Sequence, residues 1–287
     1  MIRPVVAIFA VLTTLLLAVP ALAGDVAFHQ QPFPVGGVMD HDTTMQMAVD
    51  MKMVMPDGQA MNMAMKMKNV EDKRIEILEA DGSGPSKMKL TYEDRSESME
   101  MFGTPQSQPN PVNGQTYVLT RGLGSTVESE PAATGAVLEE VRDEFDDLAN
   151  LRSFVSNLQS TKVPVGEEVD LAMLMKAGLL GGGSMAPGVD LEKGVMKLTG
   201  TRKVDGEECG VFSVEMVMKG TDPATNMVMT MEMNGEILVS VDKGWLRKME
   251  FAGPVTMSGS TTEGGVTMNM EATGTFSIVT TLKDAGK

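Results

Sequence analysis

The stretch MQMAVDMKMVMPDGQAMNMAMKMK, residues 45–68, constrains the fold more than any other part of the chain, because its nine methionines keep a period of two. Met45, Met47, Met51, Met53 and Met55, with Val49 filling the gap, alternate with Gln46, Ala48, Asp50, Lys52 and Val54. Met61, Met63, Met65 and Met67 alternate with Asn62, Ala64, Lys66 and Lys68. Successive strand side chains point to opposite faces, so the pattern predicts two half-buried strands rather than helices. Between them, Pro56-Asp57-Gly58 presets a turn: proline fixes φ at its first position and glycine accepts a left-handed third. A three-residue loop pairs Met55 with Gln59, Met53 with Met61, Met51 with Met63 and Met47 with Met67. A two-residue loop would slip the register by one and put the two rows on opposite faces. Both methionine rows are therefore expected on one side of one sheet.

The rest of the chain falls into three blocks. Residues 24–130 continue in strand fashion, with further strands expected near 74–80, 87–93, 96–102 and 116–122, and with GTPQSQPNPVNG (103–114) as a polar loop. Residues 131–192 read as helical. In TGAVLEEVRDEFDDLANLRSFVSNL, apolar residues at 137, 138, 141, 145, 148 and 151 form one helical stripe. Thr134 is the candidate N-cap, and Glu139, Glu140, Asp143, Glu144, Asp146 and Asp147 form an acidic face expected to be solvated. Asp170 is placed to cap a shorter helix, LAMLMKAGLL, which ends at Gly181–Gly183 before a turn at 186–188. Residues 193–287 alternate again, with a hairpin about Asp205-Gly206, a methionine row MVMTMEM (227–233), and a three-residue loop Asp242-Lys243-Gly244 that pairs Ile237 with Met249. Asn234-Gly235 reads either as a tight turn or as a bulge inside a long strand.

Many antiparallel strands with one apolar face need a cover. The expected fold is α+β in one domain: a strongly curved antiparallel sheet, a half-barrel, wrapped around the central amphipathic helix. Gly235, Gly253, Gly259 and Gly274 are the candidate bending points. This element order, with turns such as VDKGWLRKMEF (241–251), resembles the secreted bacterial lipoprotein carriers of the LolA and LppX type. That resemblance implies a half-barrel closed by helices over an apolar cavity. The lipid-accepting cysteine of the LppX members is missing, so the likeness is one of shape and brings no functional residue with it.

Residues 1–23 read as a cleaved export signal, with Arg3 in the basic region, Val5–Val19 as the apolar core and Ala21-Leu22-Ala23 before the cut. Asp25 stands where a lipoprotein would carry its acylated cysteine. The expected location is thus periplasmic or extracellular, with no transmembrane span after cleavage. Removing Arg3 leaves 23 basic against 39 acidic side chains, a net charge of −16. That balance argues against nucleic acid, which needs Lys and Arg to neutralise phosphate, and against anionic membrane surfaces. Cys209 is the single cysteine. It reads as a small buried apolar side chain, and no intramolecular disulfide is available.

The 28 methionines admit several readings. They could simply fill a core, although β-branched residues suit strands better. They could line a pliable cavity for an apolar or lipid-like guest, because the flexible, polarizable thioether adapts to many shapes. The carrier reading places the ligand on Met47, Met51, Met53, Met61, Met63, Met65, Met227, Met229 and Met231. They could hold Cu(I), for which thioethers are selective; Met39, His41, Met45 and Met47 are then the candidate ligands. An oxidant sink would need exposed sulfur. No nucleophile elbow, phosphate-binding loop or zinc spacing is present. The chain is therefore expected to be a non-enzymatic binding protein with no cofactor, whose partner is an apolar small molecule or lipid.

Overall fold

The computed structural model describes residues 24–81, 84–122, 126–135, 137–142, 144, 148, 161–171, 189–222, 227–263 and 266–285. The expected export signal lies outside them. So do nearly all of the second expected helix, the glycine run at 181–183 and the turn at 186–188.

The described strands are β1 (Asp25–Ala27), β2 (Val38–Val54), β3 (Ala60–Asp81), β4 (Gly84–Met101), β5 (Thr104–Pro109), β6 (Thr116–Arg121), β7 (Val127–Glu130), β8 (Lys162–Pro164), β9 (Glu168–Asp170), β10 (Val189–Val204), β11 (Glu207–Asp222), β12 (Met227–Ser240), β13 (Leu246–Glu263) and β14 (Val266–Asp284). β1 and β8 pair as a small separate ribbon. The other strands form one 12-stranded sheet in the order β7-β6-β4-β3-β2-β14-β13-β12-β11-β10-β9, with β5 folded back on β4. Every pairing is antiparallel. Two meanders, one from each half of the chain, are thus joined along β2 and β14, which pair from Met39–Asp284 to Val54–Asn269.

The turn chemistry sets this register. Pro56-Asp57-Gly58 closes the three-residue loop as expected: the Met55 amide donates to the Gln59 carbonyl at 2.8 Å, and Gly58 sits at φ 83°. Met53–Met61, Met51–Met63 and Met47–Met67 stand directly opposite each other. Asp205-Gly206 forms a two-residue hairpin with both residues at positive φ, the left-handed pair that such a turn demands. Ile237 faces Met249 as expected, with a register shift between Leu238 and Val239 nearer the turn. Asn234 and Gly235 belong to one uninterrupted β12.

Because partners across a ladder share a face, the registers assign every strand residue to a side. One face carries Met47, Val49, Met51 and Met53 of β2, their partners Met61–Met67 of β3, and Phe276, Ala272 and Met270 of β14. It continues through Phe251, Val255 and Met257 of β13, Met229, Met231, Met233 and Ile237 of β12, and Phe212, Val214, Met216 and Met218 of β11. Every methionine in the described strands lies on this face. The opposite face carries Asp50, Lys52, Asn62, Lys66, Glu271, Thr273, Glu232 and Glu250, all exposed.

The chain leaves the sheet at one edge, β7, and re-enters at the other, β9. Ten interstrand steps of about 4.8 Å separate those edges along the sheet, and the crossing segment between them has described residues packed on the sheet near both ends. These pack against its apolar face. Val141 and Leu148 are buried in a core with Ile75, Ile77, Met88, Leu90, Tyr117 and Leu119, and Val137 and Leu138 pack against it. At the far edge Val163 and Leu171 join Phe28, Met196, Leu198 and Phe212 in a second core, where Phe28 stacks on Phe212 at 5.8 Å.

These contacts correct the expected α+β half-barrel around a central helix. The protein is nearly all-β. Among the described residues the helical ones are 137–142, 144, 148 and 171, and the first of these pack on one corner of the sheet rather than along its middle. The physical reason is scale. One helix is about 10–12 Å across, whereas eleven laterally paired strands present an apolar face several times wider. The strand count was also misread. The expected breaks near 69–73 and 94–95 do not exist, and β3 and β4 run through them as strands of 22 and 18 residues. The supposed loop at 103–114 contributes β5.

The strands pack tightly along a glycine diagonal in three neighbouring strands. A Cβ on Gly253 would lie 1.8 Å from the Glu232 carbonyl oxygen of β12, and Gly235 and Gly274 on either side meet their neighbours' backbones as closely. Only glycine lets adjacent backbones approach this far on that face.

Candidate functional site

The apolar face has two zones. At the base, where β2 begins and β3 ends, aliphatic and aromatic residues lie beneath the crossing segment and the N-terminal approach. There Phe33 stacks on Trp245 at 5.1 Å, and Met39, Ile75, Ile77, Met88, Leu90 and Leu282 are almost fully buried. Toward the hairpin tips the face becomes a field of thioethers. Val49, Val255 and Ala272 are buried at its centre, and Met47, Met51, Met229, Met231 and Met257 are packed around them. Among the described residues, this cluster consists of the sheet's own side chains. Its methionines are half-buried, and Met61 at the tip is 39% exposed.

All nine methionines expected to bind a ligand lie in this tip zone. Met47, Met51, Met229 and Met231 share one packed cluster, although β2 and β12 are separated by β14 and β13. Met53, Met61, Met63 and Met65 extend it over β2 and β3, and Met227 extends it along β12. Sequence reading left Met67, Met99, Met101, Met218, Met257, Met268 and Met270 out of that set. For all of these but Met257 the signal was present in their Met-x-Met spacing, but their position on the same face follows only from the register.

The set Met39, His41, Met45 and Met47 does not converge. All four lie on the same face of β2, but at about 3.3 Å per residue Met39 and Met47 are some 26 Å apart. His41 is 8% exposed, stands across from Lys73 and Leu282, and its Nε2 has no hydrogen-bond partner. Burial, reinforced by the Lys73 charge, pulls its pKa down to about 3. An ammonium as cross-strand neighbour makes this imidazole a poor place for a metal cation.

Between base and tip, on β3 and β4, lies a polar belt that the sequence did not reveal. Glu71 faces Arg95 across the ladder, and Thr43 continues the row toward Thr280, to which it is hydrogen-bonded at 3.2 Å. Lys73 is buried, 2.5 Å from Glu71 and 2.7 Å from Glu144 of the helical segment. The Tyr92 hydroxyl donates to Glu144 at 3.1 Å, and the Arg95 Nε donates to Glu140 at 3.1 Å while its guanidinium also pairs with Glu71. Burial alone would lower the Lys73 ammonium, but the Glu144 and Glu71 carboxylates outweigh it and hold its pKa up. Burial and the Glu144 charge push the Tyr92 phenol upward. The acidic helical face is therefore not wholly solvated: Glu144 is 6% exposed and latches the crossing segment to the sheet. With each partner committed to another, the belt is a structural clasp.

Cys209 lies on the polar face in a small cluster with Val211 and Leu238. It is buried as expected, and burial followed by the Glu207 charge raises its pKa.

Two depressions of about 570 and 850 Å³ mark the sheet. The smaller is lined by Asp50, Lys52, Asn62, Ala64, Glu271 and Thr273 together with Met51, Met63 and Ala272, and the larger by polar-face residues such as Gln46, Lys66, Lys68, Glu100 and Thr275 together with Met47, Met67 and Phe276. Both linings thus mix residues assigned to the two faces, and four of their methionines, Met47, Met51, Met63 and Met67, belong to the thioether zone. Neither is an enclosed cavity, and among the described residues no side chain from outside the sheet joins the central thioether cluster. No group of three or more His, Cys, Asp or Glu side chains placed to hold a metal occurs among the described residues. No helix among them is long and apolar enough to cross a membrane.

No family model and no curated protein matches the sequence. Among solved structures, a structure of lipovitellin described for its lipid–protein interactions aligns with 90% of this chain at 8% identity and a TM-score of 0.34. The chain spans about a quarter of that protein, 26% of its length. A LolA superfamily protein from Nitrosomonas europaea aligns over 85% of this chain and 87% of its own, at 12% identity and a TM-score of 0.14. The outer membrane protease OmpT from Escherichia coli aligns over 89% and 99%, at 8% identity and 0.16. These are distant likenesses of sheet architecture and assign no function.

Proposed function

We propose that this is an exported, non-enzymatic binding protein that carries an apolar, lipid-like ligand on the thioether zone of its sheet. One observation carries the reading: the strand methionines all share one face, and many of them occupy the part of it where the described packing comes from the sheet alone. Flexible thioethers conform to guests of varied shape. Each ligand methylene withdrawn from water contributes roughly 0.8 kcal/mol, so a long acyl chain laid across these strands has ample driving force. The export signal read in residues 1–23 and the net negative charge favour a role beyond the inner membrane and away from anionic surfaces.

The test is saturable binding of a fluorescent long-chain fatty acid to the purified chain. Met51→Lys combined with Met229→Lys should abolish binding, because it sets two charges into the thioether cluster. Thr273→Lys, on the polar face, should leave it intact. Absence of saturable binding, or equal binding by all three proteins, would refute the proposal.

A further inference from the structure

The registers place three thioethers in line across three adjacent strands: Met270 of β14, Met53 of β2 and Met61 of β3. Directly opposed residues in antiparallel ladders have Cα atoms about 4.5–5.5 Å apart. Side chains from the two outer strands therefore need only lean inward to meet the sulfur of the middle one. Met53 and Met270 are half-buried and Met61 is 39% exposed, so the row is open at the hairpin tip where an ion would arrive.

Methionine plays a different part elsewhere on the same face. Away from the tip no thioether faces these methionines: Met39 faces Ile75 and Asp284, Met88 faces Ile77 and Leu119, Met196 faces Val214 and Val169, and Met249 faces Ile237 and Thr280. There it fills space. In the tip row thioether faces thioether, and methionine adds to the better strand formers a flexible chain and a sulfur, of which only the sulfur can hold a metal ion.

We propose that Met53, Met61 and Met270 form a three-sulfur site for the soft monovalent cation Cu(I). Thioethers favour Cu(I), whereas calcium and magnesium demand oxygen ligands that the row does not offer. The ligands are neutral, so binding releases no proton, and the chain's net negative charge favours a cation. The row Met47–Met67–Met99 repeats the alignment farther from the tip. The site shares Met53 and Met61 with the proposed ligand surface, and copper retention is read separately from fatty-acid binding.

The experiment is anaerobic titration with Cu(I) against a chromogenic Cu(I) chelator, using the full chain and the variant Met53→Leu/Met61→Leu/Met270→Leu. Leucine keeps the side chains apolar and removes the sulfur, so circular dichroism should be unchanged. The expected result is loss of one Cu(I) equivalent in the triple variant and no loss in Met249→Leu. X-ray absorption at the copper edge should show sulfur scatterers only. Equal Cu(I) retention by wild type and triple variant, or a nitrogen-dominated coordination shell, would overturn the proposal.

Discussion

His41 makes the stability of this fold acid-sensitive in a way that one substitution should remove. The side chain is buried, its Nε2 has no partner, and the Lys73 ammonium lies across the ladder. Its pKa falls from 6.5 in the unfolded chain to about 3 in the fold. The unfolded state therefore binds the proton first as pH drops. Stability is fully present above about pH 6.5 and is lost progressively between there and pH 3, at about 1.4 kcal/mol per pH unit. Between pH 7 and pH 4 this one group should cost about 3 kcal/mol. His41→Leu fills a similar volume without a titrating nitrogen, and at pH 7 it should be close to neutral or slightly stabilising because it also removes an unsatisfied buried polar atom. Urea unfolding of both proteins at pH 7, 5 and 4 measures the effect. Carboxylates such as Asp72 titrate in both proteins and cancel in the difference. The gap between variant and wild type should widen in favour of the variant by about 2 kcal/mol at pH 5 and about 3 kcal/mol at pH 4. A gap that stays constant with pH would refute a buried neutral imidazole at this position.

Two further substitutions probe the sheet and its clasp. Gly253→Ala puts a methyl group 1.8 Å from the Glu232 carbonyl oxygen; because backbone must move, the loss should reach about 3 kcal/mol in urea unfolding. Gly58→Ala, at φ 83° with nothing within 4 Å, should cost only about 1 kcal/mol. Glu144→Gln leaves the buried Lys73 with Glu71 as its remaining anion and should destabilise by about 3 kcal/mol, while the double variant Lys73→Met/Glu144→Leu should lose less than either single change. A strictly additive double variant would show that the pair is not coupled.

The tip hairpin was legible in the sequence because its information is local. Pro56-Asp57-Gly58 fixes the loop length, the loop length fixes the register, and the register aligns the methionines of β2 and β3. The length of β3 and β4 was not legible for an equally physical reason. Glu71, Lys73 and Arg95 occupy apolar-face positions, and a charge there reads as a strand break until its partner is known. That partner, Glu144, sits on a helical face whose acidity suggested solvent. The joining of β2 to β14, which turns two meanders into one wide sheet, depends on residues more than 200 apart and leaves no local mark. Of the expected helical stripe Val141 and Leu148 are buried, but the breadth of the sheet, which no central helix covers, was not legible.

The central claim is that the tip methionines form an accessible apolar surface that a lipid-like guest covers. Mild peroxide oxidation followed by residue-level mass spectrometry, with and without bound long-chain fatty acid, tests it most directly. Met51, Met53, Met61 and Met229 should oxidise readily in the free protein and become protected when ligand is present, while Met39 and Met88 at the base should stay slow in both states. Tip methionines as slow as those at the base, or oxidised at the same rate with and without ligand, would contradict it.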